Sequence, residues 1–222
     1  MGKIKDSKEY QLVEFIFEQH QRLGCLMRFS NVPRLAAQSV AEHEYSVTFL
    51  AMLVGDYLED KNVLVDKLRL LEMGLVHDVE EVISGDILKT LKHGGFKREL
   101  DNLNENNMFY LTRLLGAKKD KYLALWREVK DGETLEAKLI SFVDMIDRII
   151  YCLKESHLGN NYFKELLEFE AKKLMDWIPE LPELGEFIVT LSTYALDYLE
   201  GDSELYKKIS RAVRIYDYKV GS

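Results

Sequence analysis

Apolar residues recur at helical spacing along most of this chain. Between residues 8 and 26 they fall at Leu12, Val13, Ile16 and Leu23, which places them along one side of an α-helix. No segment shows the period-two alternation of apolar and polar residues that is typical of a half-buried strand. The sequence therefore predicts an all-α protein, folded as a helical bundle.

Turn signals divide this pattern into helices and one long loop. Asp131-Gly132 and Gly159-Asn160-Asn161 interrupt the apolar spacing, and residues 28–39 carry Pro33 among small residues and are predicted to form a loop. We expect a single domain over residues 1–222, with a core over 28–161 and C-terminal helices over 162–222 packed on it. The predicted helices cover residues 8–26, 40–58, 67–82, 98–115, 120–129, 134–153, 162–177, 184–199 and 204–216.

The composition restricts the classes of partner. Hydrophobic residues make up 47% of the 222 residues and charged residues 31%, which suits a folded chain with a solvated surface. The net charge of −8 argues against binding to a nucleic-acid polymer or an anionic membrane, because both need an excess of lysine and arginine. A small anionic substrate remains compatible with this charge if a few cations are focused at one site.

Two further features indicate a reducing compartment. The chain has two cysteines, fewer than a disulfide-stapled secreted protein needs. The first fifteen residues lack the apolar core of a signal peptide, and no apolar run approaches the length of a membrane span. We therefore expect a cytoplasmic protein that does not associate with membranes.

Two histidines and two aspartates stand inside apolar stretches. His43 opens an apolar helix, His77 and Asp78 are adjacent in a segment that otherwise resembles a buried helix, and Asp144 lies within another apolar stretch. A bare carboxylate in a helical core costs several kcal/mol unless it is paired, hydrogen-bonded or bound to metal. Convergence on one cation explains all four residues, and ligands on separate helices suit the core of a bundle.

Each of these residues taken alone has an ordinary structural explanation. A lone histidine on an apolar face is usually a hydrogen-bonded core residue, and a lone helical aspartate is usually a cap or an ion-pair partner. The adjacent pair His77-Asp78 is harder to explain in this way, because neighbours on a helix point about 100° apart. Imidazole and carboxylate donors favour one divalent ion, cobalt or manganese, with magnesium, iron and nickel as alternatives. Four protein ligands leave positions for a water and a phosphate oxygen.

The order of these residues and their flanks resemble the HD superfamily of metal-dependent phosphohydrolases. The matching segments are Ser39-Val40-Ala41-Glu42-His43, then Leu75-Val76-His77-Asp78 followed by Glu81 and Ser84-Gly85-Asp86, then Asp144 followed by Gly159-Asn160-Asn161. Over residues 28–161 the chain is similar to the bacterial 5′-deoxynucleotidases of this superfamily and their eukaryotic relatives. The resemblance implies an enzyme that removes phosphate from (deoxy)nucleoside 5′-monophosphates by attack of a metal-activated water, and a homodimer.

The resemblance also implies roles for residues beyond the ligands. Arg28 matches the arginine that grips the substrate phosphate, which suits the fork of a guanidinium. Glu81 matches the acid that positions or activates the attacking water, and Asp86 the acid that contacts the sugar. The alternatives are ordinary: Arg28 as a surface cation, Glu81 as a solvated helix charge and Asp86 as a turn residue.

The chain departs from the family pattern at two places. Phe29 stands where the best-known bacterial members have tryptophan beside the sugar, which leaves the preference for deoxyribose open. Residues 87–90 lack the prolines often found there, so we expect a different loop over the substrate.

Two other functional interpretations of the sequence remain open. The first is another HD phosphohydrolase, although Val82 follows Glu81 where alarmone hydrolases carry an aspartate. Val79-Glu80 stands where cyclic dinucleotide phosphodiesterases carry Gly-Lys. The second is a catalytically inactive helical binding protein. The sequence holds no phosphate-binding loop, dinucleotide-type glycine motif or serine nucleophile elbow.

Overall fold

The fold is that of a computed structural model, which describes residues 7–87, 95–197 and 207. The predicted helix over 204–216, apart from residue 207, and the last residues of the one over 184–199 lie outside the described residues. So does most of the 87–90 segment.

Helices dominate the described part of the chain. No strand occurs in these ranges, which contain an isolated β-bridge between Met27 and Ser39. The all-α prediction is therefore confirmed. No helix within the same ranges is both long and apolar enough to cross a membrane. The α-helices are α1 Lys8–Glu14, α2 Val40–Asp60, α3 Lys67–Val76, α4 Glu81–Ser84, α5 Lys97–Thr112, α6 Lys119–Asp131, α7 Leu135–His157, α8 Asn161–Leu174 and α9 Gly185–Asp197.

One predicted helix is interrupted where the site residues lie. The sequence predicted a continuous helix over 67–82, but α3 ends at Val76 and residues 77–80 form turns before α4 begins at Glu81. The reason is a tighter hydrogen-bond pattern, since the amide of Glu81 donates to the carbonyl of Asp78 and that of Val82 to Val79. Bonds from residue i+3 to residue i belong to 3-10 geometry. Residues 77–80 contain no glycine or proline that would signal the interruption in the sequence.

The chain divides into two compact units. The first comprises Met1–Pro33, Ala37–Gly55 and Val65–Ser141, and the second comprises Arg34–Ala36, Asp56–Leu64 and Phe142–Ser222. The boundary between the units falls inside α2 and inside α7. The single domain expected from the sequence remains a prediction.

The core of the first unit is built where α2 and α3 meet and where α6 packs on α3. Val47, Ala51, Leu70 and Met73 are fully buried. The close approach of α2 and α3 depends on Gly74, because a Cβ there would lie 2.7 Å from Oγ1 of Thr48. This approach brings the beginning of α2 towards the end of α3.

The second unit has an aromatic core. The ring of Phe142 makes edge contacts with Trp177 and Phe187, with ring centroids 5.9 and 6.3 Å apart. Glu155, on α7, is fully buried and fixes the short segment 34–36, because its carboxylate accepts hydrogen bonds from the amides of Leu35 and Ala36.

Candidate metal centre

A capping box places His43 in the first turn of α2. The hydroxyl of Ser39 accepts a hydrogen bond from the amide of Glu42, and the carboxylate of Glu42 accepts one from the amide of Ser39. This reciprocal pair satisfies amide groups at the start of the helix and fixes the direction in which the helix begins. His43, the next residue, is completely buried.

The end of α3 supplies the next two residues. His77 follows the last residue of α3, and its Nδ1 donates to the carbonyl oxygen of Gly74 at 2.8 Å. Because a carbonyl oxygen only accepts hydrogen bonds, Nδ1 carries the proton and the neutral ring presents the lone pair of Nε2. Histidines that bind metals are usually held in this way.

Three donor atoms of the first unit converge. Nε2 of His43 and Nε2 of His77 lie 3.3 Å apart, and Oδ2 of Asp78 lies 3.6 and 3.4 Å from them. Two imidazole nitrogens and a carboxylate oxygen suit a divalent transition metal, and each of the three can be drawn to about 2 Å from a common point. The residues therefore fit a metal ion. His43 and His77 are 34 residues apart along the chain, and the contact of α2 with α3 brings them together.

Arg28, Phe29 and Asp86 border this cluster. The guanidinium of Arg28, a buried residue, donates to Nδ1 of His43 and lies 5.4 Å from the centre of the Phe29 ring. Phe29 has a φ of 53°, a left-handed conformation that is uncommon for a residue with a side chain. The amide of Phe29 donates to Oδ2 of Asp86 at 2.8 Å, which holds the loop in this conformation.

Two buried acids lie close to the cluster. Glu81 is the first residue of α4 and is buried. Glu44, next to His43, has a buried Oε1 without a hydrogen-bond partner. Burial, with the negative charge of Asp78 in addition, raises the pKa of Glu44 to about 9, so this carboxyl is neutral at neutral pH in the metal-free protein.

A third acid, Glu80, is paired across the first unit. Its side chain is 2% exposed and accepts hydrogen bonds from the indole Nε1 of Trp126 at 2.8 Å and from Nζ of Lys130 at 2.9 Å. Nζ of Lys130 also lies 3.5 Å from Oδ1 of Asp78. Partial burial lowers the pKa of Lys130, but the attraction of Glu80 and Asp78 outweighs it, so the pKa lies above its ordinary value and the amine stays charged.

Asp144 belongs to the second unit. Its carboxylate accepts a hydrogen bond from Arg148, one turn further along α7, and Arg148 also contacts Glu170 at 3.3 Å. Burial lowers the pKa of Arg148, but the two carboxylates raise it more strongly, so the guanidinium stays charged and holds both of them.

The first unit thus brings together three of the four predicted ligands. Arg28, Phe29 and Asp86, predicted from the resemblance, lie beside them in one connected group. Sequence reasoning missed Lys130 and treated Glu80 only as a neighbour of Glu81. The only sequence feature that relates to this contact is the spacing of Trp126 and Lys130, four residues apart on an amphipathic helix. That spacing does not identify Glu80, some 50 residues away along the chain, as their partner.

Several curated relatives of this chain are named 5′-deoxynucleotidase. The zebrafish protein "5′-deoxynucleotidase HDDC2" is 32% identical over 115 residues, which are 51% of this chain and 53% of that protein. The Dictyostelium discoideum protein of the same name is 28% identical over 142 residues, which are 61% of this chain and 74% of that protein. The match therefore spans only about half the length of the zebrafish relative.

A solved structure and a family model also match this chain. A solved HD-domain phosphohydrolase from Listeria innocua superposes with a TM-score of 0.79 at 24% identity, covering 90% of this chain and 98% of that one, which shows a common fold. The family model described as "HD domain" matches residues 21–182, well over half of the 222 residues. The chain belongs to the HD domain family.

Proposed function

We propose that this chain is a metal-dependent phosphohydrolase that removes phosphate from (deoxy)nucleoside 5′-monophosphates. Membership of the HD domain family and the 5′-deoxynucleotidase names of the curated relatives support the reaction class. The observation that carries the proposal is the convergence of Nε2 of His43, Nε2 of His77 and Oδ2 of Asp78 within 3.6 Å of one another. A cation bound between them is the simplest explanation for two buried imidazoles and a carboxylate whose donor atoms face one point.

We assign the fourth ligand to Asp144, as the family pattern predicts, and the ion to cobalt or manganese. Magnesium, iron and nickel are the alternatives, because carboxylate oxygens broaden the choice beyond zinc. A bound ion would polarise a water and a phosphoryl oxygen and neutralise charge that builds up on the phosphate. The remaining tasks fall to side chains of the chain itself.

Arg28 is proposed to hold the phosphate. In the structure the guanidinium of Arg28 donates a hydrogen bond to Nδ1 of His43, so this nitrogen carries no proton. Coordination by Nε2 of a neutral His43 requires the proton on Nδ1 instead, so Arg28 must leave this nitrogen when an ion binds. Its guanidinium then turns to the nearest anion, and in a loaded site that anion is the substrate phosphate.

The other bordering residues complete the proposed mechanism. Glu81 takes the proton of the attacking water, in keeping with its burial beside Asp78. Attack in line with the leaving oxygen then breaks the P–O bond, and the proton that Glu81 took returns through solvent to the leaving oxygen, so the nucleoside departs as an alcohol. Asp86 and Phe29 contact the sugar, and the hydrogen bond between them fixes the loop that Arg28 shares.

A phosphate-release panel tests this function. The purified chain is incubated with manganese, cobalt or magnesium and with ribo- and deoxyribonucleoside 5′-monophosphates, guanosine tetraphosphate and a cyclic dinucleotide. We expect release from the monophosphates, loss of it in Glu81→Gln, and near wild-type turnover in Lys61→Met, where a lysine that pairs with exposed Glu186 is removed. Chromatography of the nucleotides accompanies the assay, because cleavage of a phosphodiester or loss of a diphosphate releases no free phosphate. Turnover restricted to guanosine tetraphosphate or the cyclic dinucleotide, or absent with every ion, would contradict the proposal.

A homodimer in the cytoplasm completes the proposal. The small nucleotide substrate and the net charge of −8 agree with a protein that binds neither nucleic-acid polymers nor anionic membranes. Light scattering of the purified chain is expected to give twice the mass of 25.9 kDa. A mass of one chain at micromolar concentration would contradict the dimer without affecting the proposed reaction.

A further inference from the structure

Lys130 links a buried acid to one oxygen of a proposed metal ligand. The carboxylate of Glu80 is almost completely buried, and Trp126 and Lys130 are the groups that donate to it, at 2.8 and 2.9 Å. These two donors stand four residues apart on α6 and therefore lie on the same face of that helix. Together with Glu80 they hold the ammonium group of Lys130 in one place.

From that place the ammonium reaches Asp78. Nζ of Lys130 lies 3.5 Å from Oδ1 of Asp78, whereas Oδ2 of the same carboxylate lies 3.4 Å from Nε2 of His77 and 3.6 Å from Nε2 of His43. The two oxygens of one carboxylate thus face different partners. One faces a fixed cation and the other faces the two imidazoles.

We propose that Lys130 is a positioning residue for metal binding, which engages Oδ1 of Asp78 so that Oδ2 alone coordinates the ion. The inference rests on the proposed metal site. A carboxylate that binds through both oxygens occupies two positions on a metal, whereas one that binds through a single oxygen leaves a position for substrate or water. Partners of this kind, which orient a ligand without touching the metal, typically contribute 10- to 100-fold to affinity.

Lys130 also borders a polar cavity of about 370 Å³ that is lined by Asp101, Arg127 and Trp126 among others. A lysine at the wall of a cavity has a second candidate role, direct contact with substrate. Direct contact would change KM and leave the affinity for a metal alone as it is. The two roles are therefore separated by measuring metal binding without substrate.

The test uses Mn²⁺ as the probe and the purified full chain, with binding followed by calorimetry and electron paramagnetic resonance. Lys130→Met is expected to weaken Mn²⁺ binding by about 10- to 100-fold, and Lys130→Arg to restore most of it because the charge returns. Lys121→Met is the matched control, since Lys121 lies on the same helix and pairs with Glu72 away from the cluster. Its Mn²⁺ affinity is expected to equal that of the wild type.

A double variant separates positioning from a merely structural role. Lys130→Met leaves Glu80 buried with one donor fewer, and adding Glu80→Gln removes that uncompensated charge. If Lys130 positions Asp78, the double variant regains thermal stability while its Mn²⁺ affinity stays low; recovery of both would overturn the inference. Wild-type affinity in Lys130→Met would also overturn it and leave the proposed function intact. A wild type that binds no Mn²⁺ would overturn the inference and the proposed metal site together.

Discussion

Replacing Gly74 by alanine tests how the fold builds the site. A Cβ at this position would lie 2.7 Å from Oγ1 and 3.1 Å from Cα of Thr48. The second atom belongs to the backbone of α2 and cannot rotate away, so α3 must move. Overpacking of this kind costs about 1–3 kcal/mol, and the better helix propensity of alanine returns up to about 1 kcal/mol. We expect a net loss of up to about 2 kcal/mol, or a fall in Tm of up to about 8 °C for a chain of this size.

The same movement is expected to reach the metal. The carbonyl of Gly74 fixes the ring of His77, so displacing α3 separates Nε2 of His77 from Nε2 of His43 and weakens Mn²⁺ binding. Gly55→Ala is the matched control, because its Cβ would meet side-chain atoms and no backbone: Cδ2 of Leu70 at 3.3 Å and Cγ of Lys67 at 3.8 Å. It is expected to be neutral or stabilising by up to about 1 kcal/mol. Urea unfolding followed by circular dichroism measures both, and a Gly74→Ala variant at least as stable as Gly55→Ala would refute the reasoning.

Three further variants probe single interactions. Burial raises the pKa of Glu155, but hydrogen bonds from Leu35, Ala36 and Asn160 lower it more, so the pKa in the folded chain lies below that in the unfolded chain. The stability that the ionised carboxylate contributes is therefore lost as the pH falls through the folded pKa. In urea unfolding, the deficit of Glu155→Gln should therefore be largest near neutral pH and shrink below about pH 4.5; a constant deficit would contradict this. Trp126→Phe removes a donor from buried Glu80 and should cost about 1–3 kcal/mol in the same assay, whereas an unchanged unfolding midpoint would speak against the bond. Arg28→Lys should raise KM for a nucleoside monophosphate about tenfold, or ~1.4 kcal/mol, with a smaller effect on kcat, because lysine lacks the guanidinium fork; an unchanged KM would remove Arg28 from the phosphate site.

The sequence predicted the helical fold because helical spacing is a local signal. The start of α2 was predicted from the apolar spacing alone, although Ser39 and Glu42 also encode it locally as a capping box within four consecutive residues. The break after Val76 was not predicted, because residues 77–80 contain no glycine or proline that would signal it. The left-handed conformation of Phe29 also carries no local signal, since phenylalanine is not a residue that favours it.

The candidate site was predicted to the extent that its residue types were chemically unusual. His43, His77 and Asp78 stood out because imidazoles and carboxylates are costly in apolar helices. Lys130 and Glu80 looked like ordinary surface charges, and only the packing of α6 on α3 brings them together. Contacts of this kind depend on topology, which spacing along the chain does not encode.

Anomalous X-ray diffraction from crystals of the chain soaked in Mn²⁺ tests the central claim most directly. One strong manganese peak per chain is expected, within about 2–2.3 Å of Nε2 of His43, Nε2 of His77 and Oδ2 of Asp78, with Asp144 as the fourth ligand. The peak should vanish in crystals of Asp78→Ala, while helical circular dichroism in solution stays largely intact. A peak that survives this replacement, or one bound elsewhere on the chain, would contradict the account.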